Sequence, residues 1–190
     1  MIQERLLWVN GALIPAGRAH IDARDRGFTL GDGLFETVRV HRGRPIGLDR
    51  HFARLRRGAA FLGITLPWDD RELSDAIETT LDANGLAGAA LRLTVSRGVQ
   101  STRGLLPDPA AAPSLAIDVQ PFTGYPAELY SRGIAAVTSR IPRNEHSPLT
   151  RLKTLSYLDQ VLVRREAAAL GAGDALMRNT AGELVCASAA

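Results

Sequence analysis

Lys153 lies in the stretch Thr150-Arg151-Leu152-Lys153-Thr154-Leu155-Ser156-Tyr157-Leu158. Of the 23 Lys and Arg residues in the chain, 22 are arginine, so Lys153 is the only lysine. Guanidinium supplies positive charge everywhere else, but it cannot form a Schiff base, whereas a primary amine can. Count alone leaves two readings open, an amine for covalent catalysis or a single surface lysine. Arg54, in His51-Phe52-Ala53-Arg54-Leu55, sits one position from an apolar stripe. It reads as a half-buried clamp for a phosphate or carboxylate, or as a solvated arginine. Arg97 ends a strand just before Gly98, and strand ends often present site residues from a rigid scaffold. An exposed structural arginine is the alternative there.

Gly31-Asp32-Gly33-Leu34-Phe35-Glu36-Thr37 reads as a tight turn leading into a strand. It is not a nucleotide-binding loop, since no third glycine and no helix follow in place. With one cysteine, Cys186, and histidines scattered at 20, 41, 51 and 146, neither an intrachain disulfide nor a metal centre is expected.

The elements that must carry these residues follow from local signals. Residues 6–9 and 12–14 flank Asn10-Gly11, the signature of a type I′ hairpin. Residues 21–27 read as a charged loop, 35–41 as a strand, and Arg42-Gly43 as a turn into a short return strand near 45–48. Asp49 is the expected N-cap of a helix whose Phe52, Leu55, Ala59 and Leu62 share one face and which ends at Gly63. Asp69 or Asp70 caps a second helix, with Leu73, Ile77 and Leu81 on its buried side and Gly85 beyond its end. Leu91, Leu93 and Val95 alternate as a half-buried strand. Residues 100–113 form a loop rich in Gly, Pro and Ala, and 115–119 a strand. Beyond a connector at 121–125 come a strand at 134–138, an irregular stretch, and a helix over 156–170. Leu158, Val161, Leu162 and Arg165 are its repeating positions. A hairpin around Thr180-Ala181-Gly182 pairs 175–177 with 184–186.

Strands and helices mix without strict alternation, which favours an α+β (mixed α/β) fold over a doubly wound sheet. The expected organisation is an N-terminal α/β domain over 1–120, a connector at 121–125, and the start of a C-terminal domain over 126–190 carrying Lys153. The last strand has no closing element after it, so this second domain is expected to be incomplete.

With 190 residues, 45% hydrophobic and 23% charged, the composition is that of an ordinary globular protein. A net charge of +3, dispersed arginines and 5% aromatics argue against a nucleic-acid platform. Residues 1–10 lack the apolar region of a secretory leader, and no apolar run is long enough to span a bilayer. A cytoplasmic, reduced protein is expected.

Taken in order, these stretches resemble one family, the fold-type IV (class IV) pyridoxal-phosphate enzymes. It includes branched-chain and D-amino-acid aminotransferases and 4-amino-4-deoxychorismate lyase. The resemblance runs from Trp8-Val9-Asn10-Gly11 through Arg24-Asp25-Arg26-Gly27-Phe28-Thr29-Leu30-Gly31-Asp32-Gly33-Leu34-Phe35-Glu36-Thr37 and His51-x-x-Arg54-Leu55. It continues through Ser96-Arg97-Gly98 and Leu152-Lys153-Thr154-Leu155-Ser156 to residues 182–190. It implies a two-domain fold and pyridoxal 5'-phosphate held covalently by Lys153, which then moves protons at the substrate carbon. It further implies Arg54 at the cofactor phosphate, Tyr157 near the ring hydroxyl, Arg97 for a substrate carboxylate, and Phe35 lining the pocket. The partners implied are a small amino-acid-like substrate and a second subunit in a homodimer.

Two departures stand out. Cys186 occupies the position where the family places a glutamate against the pyridine nitrogen, and a thiol is a poor permanent counter-ion. Glu183, three residues earlier, should face the other side of an extended strand. The family also continues past this point with an Asn-Leu-Phe-like run and further glycine-rich turns. The wording of Asp25-Arg26-Gly27 with Gly31 to Thr37, and of Leu152 to Ser156 with Leu158-x-Gln160-Val161-Leu162, looks more like the lyase, which releases p-aminobenzoate and pyruvate in folate synthesis, than like branched-chain members. An aminotransferase for branched-chain or D-amino acids is the alternative. A non-catalytic dimerising relative or inactive fragment is the reading from another class.

Overall fold

A computed structural model describes residues 4–101 and 104–189. The expected leaderless start and the loop at 100–113 therefore fall partly outside the described residues, as does the last residue of the expected unfinished end. By its contacts the chain forms two units. One holds the residues up to Thr123 together with Lys153–Leu155, and the other holds Gly124–Leu152 and the residues from Ser156 on.

The first unit is built on a six-stranded antiparallel sheet. β1 (Leu6–Val9) and β2 (Ala12–Pro15) form the predicted hairpin, and positive φ at Asn10 (47°) and Gly11 (101°) gives the expected primed turn. β3 (Gly33–His41), β4 (Arg44–Pro45), β5 (Ala89–Ser96) and β6 (Ser114–Pro121) complete the order β2-β1-β6-β5-β3-β4. A short helix, α1 (Arg26–Leu30), takes over the end of the loop expected over 21–27. Asp25 caps it by accepting from the Gly27 amide, 2.7 Å away.

Two amphipathic helices, α2 (Leu48–Leu62) and α3 (Asp70–Asn84), pack on this sheet. Phe52, Leu55, Ala59, Leu73, Ile77 and Leu81 meet Leu34, Val38, Leu91, Leu93, Leu115 and Ile117 in one buried core. Asp49 is not the N-cap of α2; Gly47 takes that place at φ 69°, and Asp49 lies in the first turn, where its charge still suits the helix dipole. α3 starts in a full capping box, Asp69 and Glu72 each accepting at 2.7 Å from the other's amide.

In the second unit α4 (Ala127–Arg132), which the sequence reading lacked, precedes β7 (Ala136–Thr138). A 3-10 turn at Pro148–Arg151, α5 (Leu158–Ala169), β8 (Asp174–Arg178) and β9 (Leu184–Ala187) follow. β7 pairs parallel with β8 across α5, and β8 pairs antiparallel with β9. The buried residues of α5 are Val163 and Ala167, which meet Ala175 and Met177. The predicted stripe is therefore corrected, since Leu158, Val161 and Leu162 are all exposed. No helix among the described residues is long and apolar enough to cross a membrane.

Candidate functional site

Lys153 is placed by backbone pairing. The Phe35 amide donates to the Lys153 carbonyl at 2.9 Å, and the Leu155 amide to the Gly33 carbonyl at 3.0 Å. Thr154 bridges Leu34, so residues 153–155 add a short strand beside the N-terminal half of β3. This pairing is why Lys153–Leu155 belongs to the first unit. Gly33 makes it possible, because a Cβ there would meet the Val95 carbonyl and lie 2.7 Å from the Leu155 Cδ1.

On β3, Phe35 and Glu36 point to opposite faces. The Phe35 ring carries two cations, with the Lys153 Nζ 4.2 Å and the Arg92 Cζ 3.8 Å from its centroid. Glu36 shares its face with Leu34, Val38 and Val40, and its side chain is 2% exposed. A carboxylate buried there needs partners, and α2 provides them. Arg54 donates through Nε to Oε1 at 2.7 Å and through Nη2 to Oε2 at 2.5 Å, and the His51 Nδ1 lies 2.7 Å from Oε2. Burial alone would raise the Glu36 pKa, but the bonds and charges of Arg54 and His51 hold it below the usual carboxylate range. Arg54 keeps 48% of its side chain exposed.

The Lys153 amine is held below its ordinary pKa, chiefly by burial. Glu36 opposes that shift, while the charges of Arg54 and Arg92 add to it. The group therefore presents an amine of reduced basicity, able to attack a carbonyl, on the same unit as a half-exposed guanidinium able to receive an anion.

The other predicted residues fall elsewhere. Arg97 is 8% exposed and binds Asp32 through Nε (2.7 Å) and Nη2 (3.1 Å). It also donates to the carbonyls of Leu62 (2.7 Å) and Gly63 (2.9 Å), so its guanidinium is bonded within the protein on two sides. Asp32 receives Arg26 as well, at 2.8 Å, and Arg26 reaches on to Gln100 and to the carbonyls of Gly104 and Leu105. Tyr157 stands at the N-cap of α5, half-buried, in the second unit. Cys186 pairs with Met177 across β8 and β9, its Sγ 3.8 Å from the Met177 Sδ. Glu183 closes the turn before β9, exchanging bonds of 2.8 Å with the Asn179 side chain.

Sequence reasoning gave no role to Glu36, His51 or Arg92. A signal existed for Glu36, a charge at the core-facing step of the row Leu34, Glu36, Val38, Val40. For Arg92 none existed, since it occupies an ordinary outward position of β5.

A family model described as amino-transferase class IV matches residues 33–190. The chain is 35% identical to the crystal structure of 4-amino-4-deoxychorismate lyase from Pseudomonas aeruginosa, with a TM-score of 0.82, covering 96% of this chain and 64% of that one. It is 26% identical, with a TM-score of 0.86, to the branched-chain aminotransferase of the thermophilic archaeon Thermoproteus uzoniensis with norvaline, covering 97% and 63%. It is 30% identical over 173 residues to the D-alanine aminotransferase of Bacillus licheniformis, covering 88% of this chain and 58% of that protein. The chain thus spans about three fifths of the length of these relatives.

Proposed function

The chain belongs to the class IV aminotransferase family, and on that premise we propose that it is a pyridoxal-phosphate enzyme acting as a 4-amino-4-deoxychorismate lyase. The observation that carries this is the Lys153 amine, fixed by main-chain pairing to β3 over the Phe35 ring and lowered in basicity by burial. The donor set fits the cofactor, an amine for its aldehyde and the exposed part of the Arg54 guanidinium for its phosphate. When bound, pyridoxal phosphate supplies the electron sink on which carbanion chemistry at the substrate carbon depends.

Around that chemistry this chain's own residues do the following. With the cofactor bound, Lys153 would take the proton from the substrate carbon as a general base. Its lowered pKa puts more of it in the neutral form that this task requires. Arg54 would hold the phosphate, and Phe35 supports the amine from one side. Tyr157 and Cys186 are proposed toward the cofactor ring from the family resemblance alone. A thiol at the place where the family has a glutamate would make the cofactor a weaker electron sink, which would suit elimination with aromatisation better than transamination.

The second reading is an aminotransferase, favoured by the likeness to D-alanine and branched-chain aminotransferases. A cytoplasmic homodimer working in folate synthesis accompanies the lyase reading. Mixing the protein with pyridoxal phosphate should give an absorbance band at the edge of the visible. Borohydride should then fix the mass on Lys153, and Lys153→Ala should show neither. Incubation with aminodeoxychorismate should release p-aminobenzoate and pyruvate. Glutamate formed from amino acids and 2-oxoglutarate would instead establish the transferase, and no modification of Lys153 would end both readings.

A further inference from the structure

β3 directs Leu34, Glu36, Val38 and Val40 to the core, and Glu36 is the one charged member of that row. Burying a carboxylate among apolar neighbours is unfavourable unless its oxygens are satisfied and its charge is balanced. Both oxygens are satisfied from a single helix. Arg54 and His51 lie three residues apart on α2, which sets their side chains on one face. The neighbouring residue of β3, Phe35, carries the Lys153 amine. Among the described residues, the charges acting on that amine include Glu36 from β3, Arg54 from α2 and Arg92 from β5, and His51 bonds Glu36 as well.

We propose that Glu36 is a positioning residue: it fixes Arg54 and His51 from the core side and balances the guanidinium charges around the Lys153 amine. The inference rests on the reading of Lys153 and Arg54 as one cofactor site, and it adds to that reading a residue that touches neither carbonyl nor phosphate. Its logic is electrostatic. Burial and the charges of Arg54 and Arg92 disfavour the ammonium form, and the charge of Glu36, the β3 neighbour of the Phe35 ring that carries the amine, favours it. Its second effect is geometric. Occupying the Nε and Nη2 of Arg54 sets the plane of the guanidinium before any anion arrives, which lowers the entropy lost on binding.

The single lysine makes the test direct. Selective isotope labelling of lysine gives one side-chain amine signal, and its pH titration reports Lys153 with no ligand present. Glu36→Gln should lower that midpoint by about half a unit or more. It should also weaken pyridoxal phosphate about tenfold in an absorbance titration, the effect of one misplaced charge-assisted bond. Glu36→Asp keeps the charge but retracts it by one methylene. It should leave the midpoint within about 0.2 of a unit while weakening the cofactor similarly. Arg54→Gln, which removes a positive charge, should raise the midpoint, and it carries the electrostatic arm if Glu36→Gln does not fold. An unchanged midpoint in Glu36→Gln or Arg54→Gln overturns the charge role, and unchanged affinity in Glu36→Asp overturns the positioning role. If the unaltered protein fails to bind pyridoxal phosphate, the cofactor reading falls, and the ligand-free titration still decides the electrostatic claim.

Discussion

Arg97 donates to Asp32 twice and to the carbonyls that end α2, and this fourfold engagement defines its chemistry. Those carbonyls, of Leu62 and Gly63, lie at a helix end where backbone acceptors lack partners. A planar fork meets two directions at once, which an ammonium cannot do. Arg97→Lys should therefore destabilise the fold by about 1–3 kcal/mol in urea unfolding, the cost of leaving buried acceptors without a donor. A residue whose task was substrate capture would instead show a raised KM and an unchanged unfolding midpoint. Lys153 should behave in the opposite way. Its folded pKa lies below the unfolded value of 10.5, so below its folded pKa it lowers stability. That penalty fades as pH rises from the folded pKa toward the unfolded one. Lys153→Met should thus unfold at higher urea than the unaltered protein at pH 7, and the gap should close toward high pH. A gap that widens with pH would contradict the burial argument. Lys153 stood out in the sequence because it is the one lysine in the chain. Glu36 and Arg92 did not, because the partners of Glu36 come from α2 and Arg92 meets Phe35 only through the distant pairing of β5 with β3.

At the scale of elements, local signals were readable and long-range ones were not. Asn10-Gly11 fixes a turn by backbone conformation alone, and Asp69 with Glu72 fixes a helix start within four residues. Replacing Asp69 by Ala should lower stability by about 1 kcal/mol, measured as a shift of the urea midpoint with no change of slope. α1 escaped a local reading because distant groups hold it. Arg26 is anchored by Asp32, Gln100 and the carbonyls of Gly104 and Leu105. The strand formed by residues 153–155 escaped for the same reason. Its existence depends on Gly33, where any side chain would collide with the Val95 carbonyl and crowd Leu155. Gly33→Ala should therefore cost about 1–3 kcal/mol by overpacking and should also move Lys153. The isotope-labelled lysine signal reads that movement directly. A variant that loses stability while the Lys153 titration stays unchanged would show that the pairing does not position the amine. In α5 a run of leucine and valine suggested the wrong face, since small Ala167 rather than large Leu162 lies against Met177.

For the molecule as a whole, acid is the condition that tests how these charges are joined. Asp32 and Glu36 both have folded pKa values held below their ordinary 3.8 and 4.5. Burial works against this in each case, and the arginine bonds prevail, from Arg97 and Arg26 at Asp32 and from Arg54, with His51, at Glu36. A carboxylate shifted in this direction adds stability that is fully present above its unfolded pKa and is lost as pH falls through its folded one. Unfolding free energy should therefore be insensitive to these two groups from pH 7 down to about 5, and should fall steeply below about pH 4. The two sites are separate networks, one tying α1 and the end of α2 to the start of β3, the other tying the middle of β3 to α2. Their contributions should then add to within a few tenths of a kcal/mol. Glu36→Gln and Asp32→Asn should each lower stability at pH 7 and each flatten part of the acid limb, and the double variant should flatten the sum. Proton uptake on unfolding at pH 3, measured by calorimetry in buffers of different ionisation enthalpy, gives the same count independently. An acid limb as steep in both variants as in the unaltered protein would place its origin outside these two carboxylates.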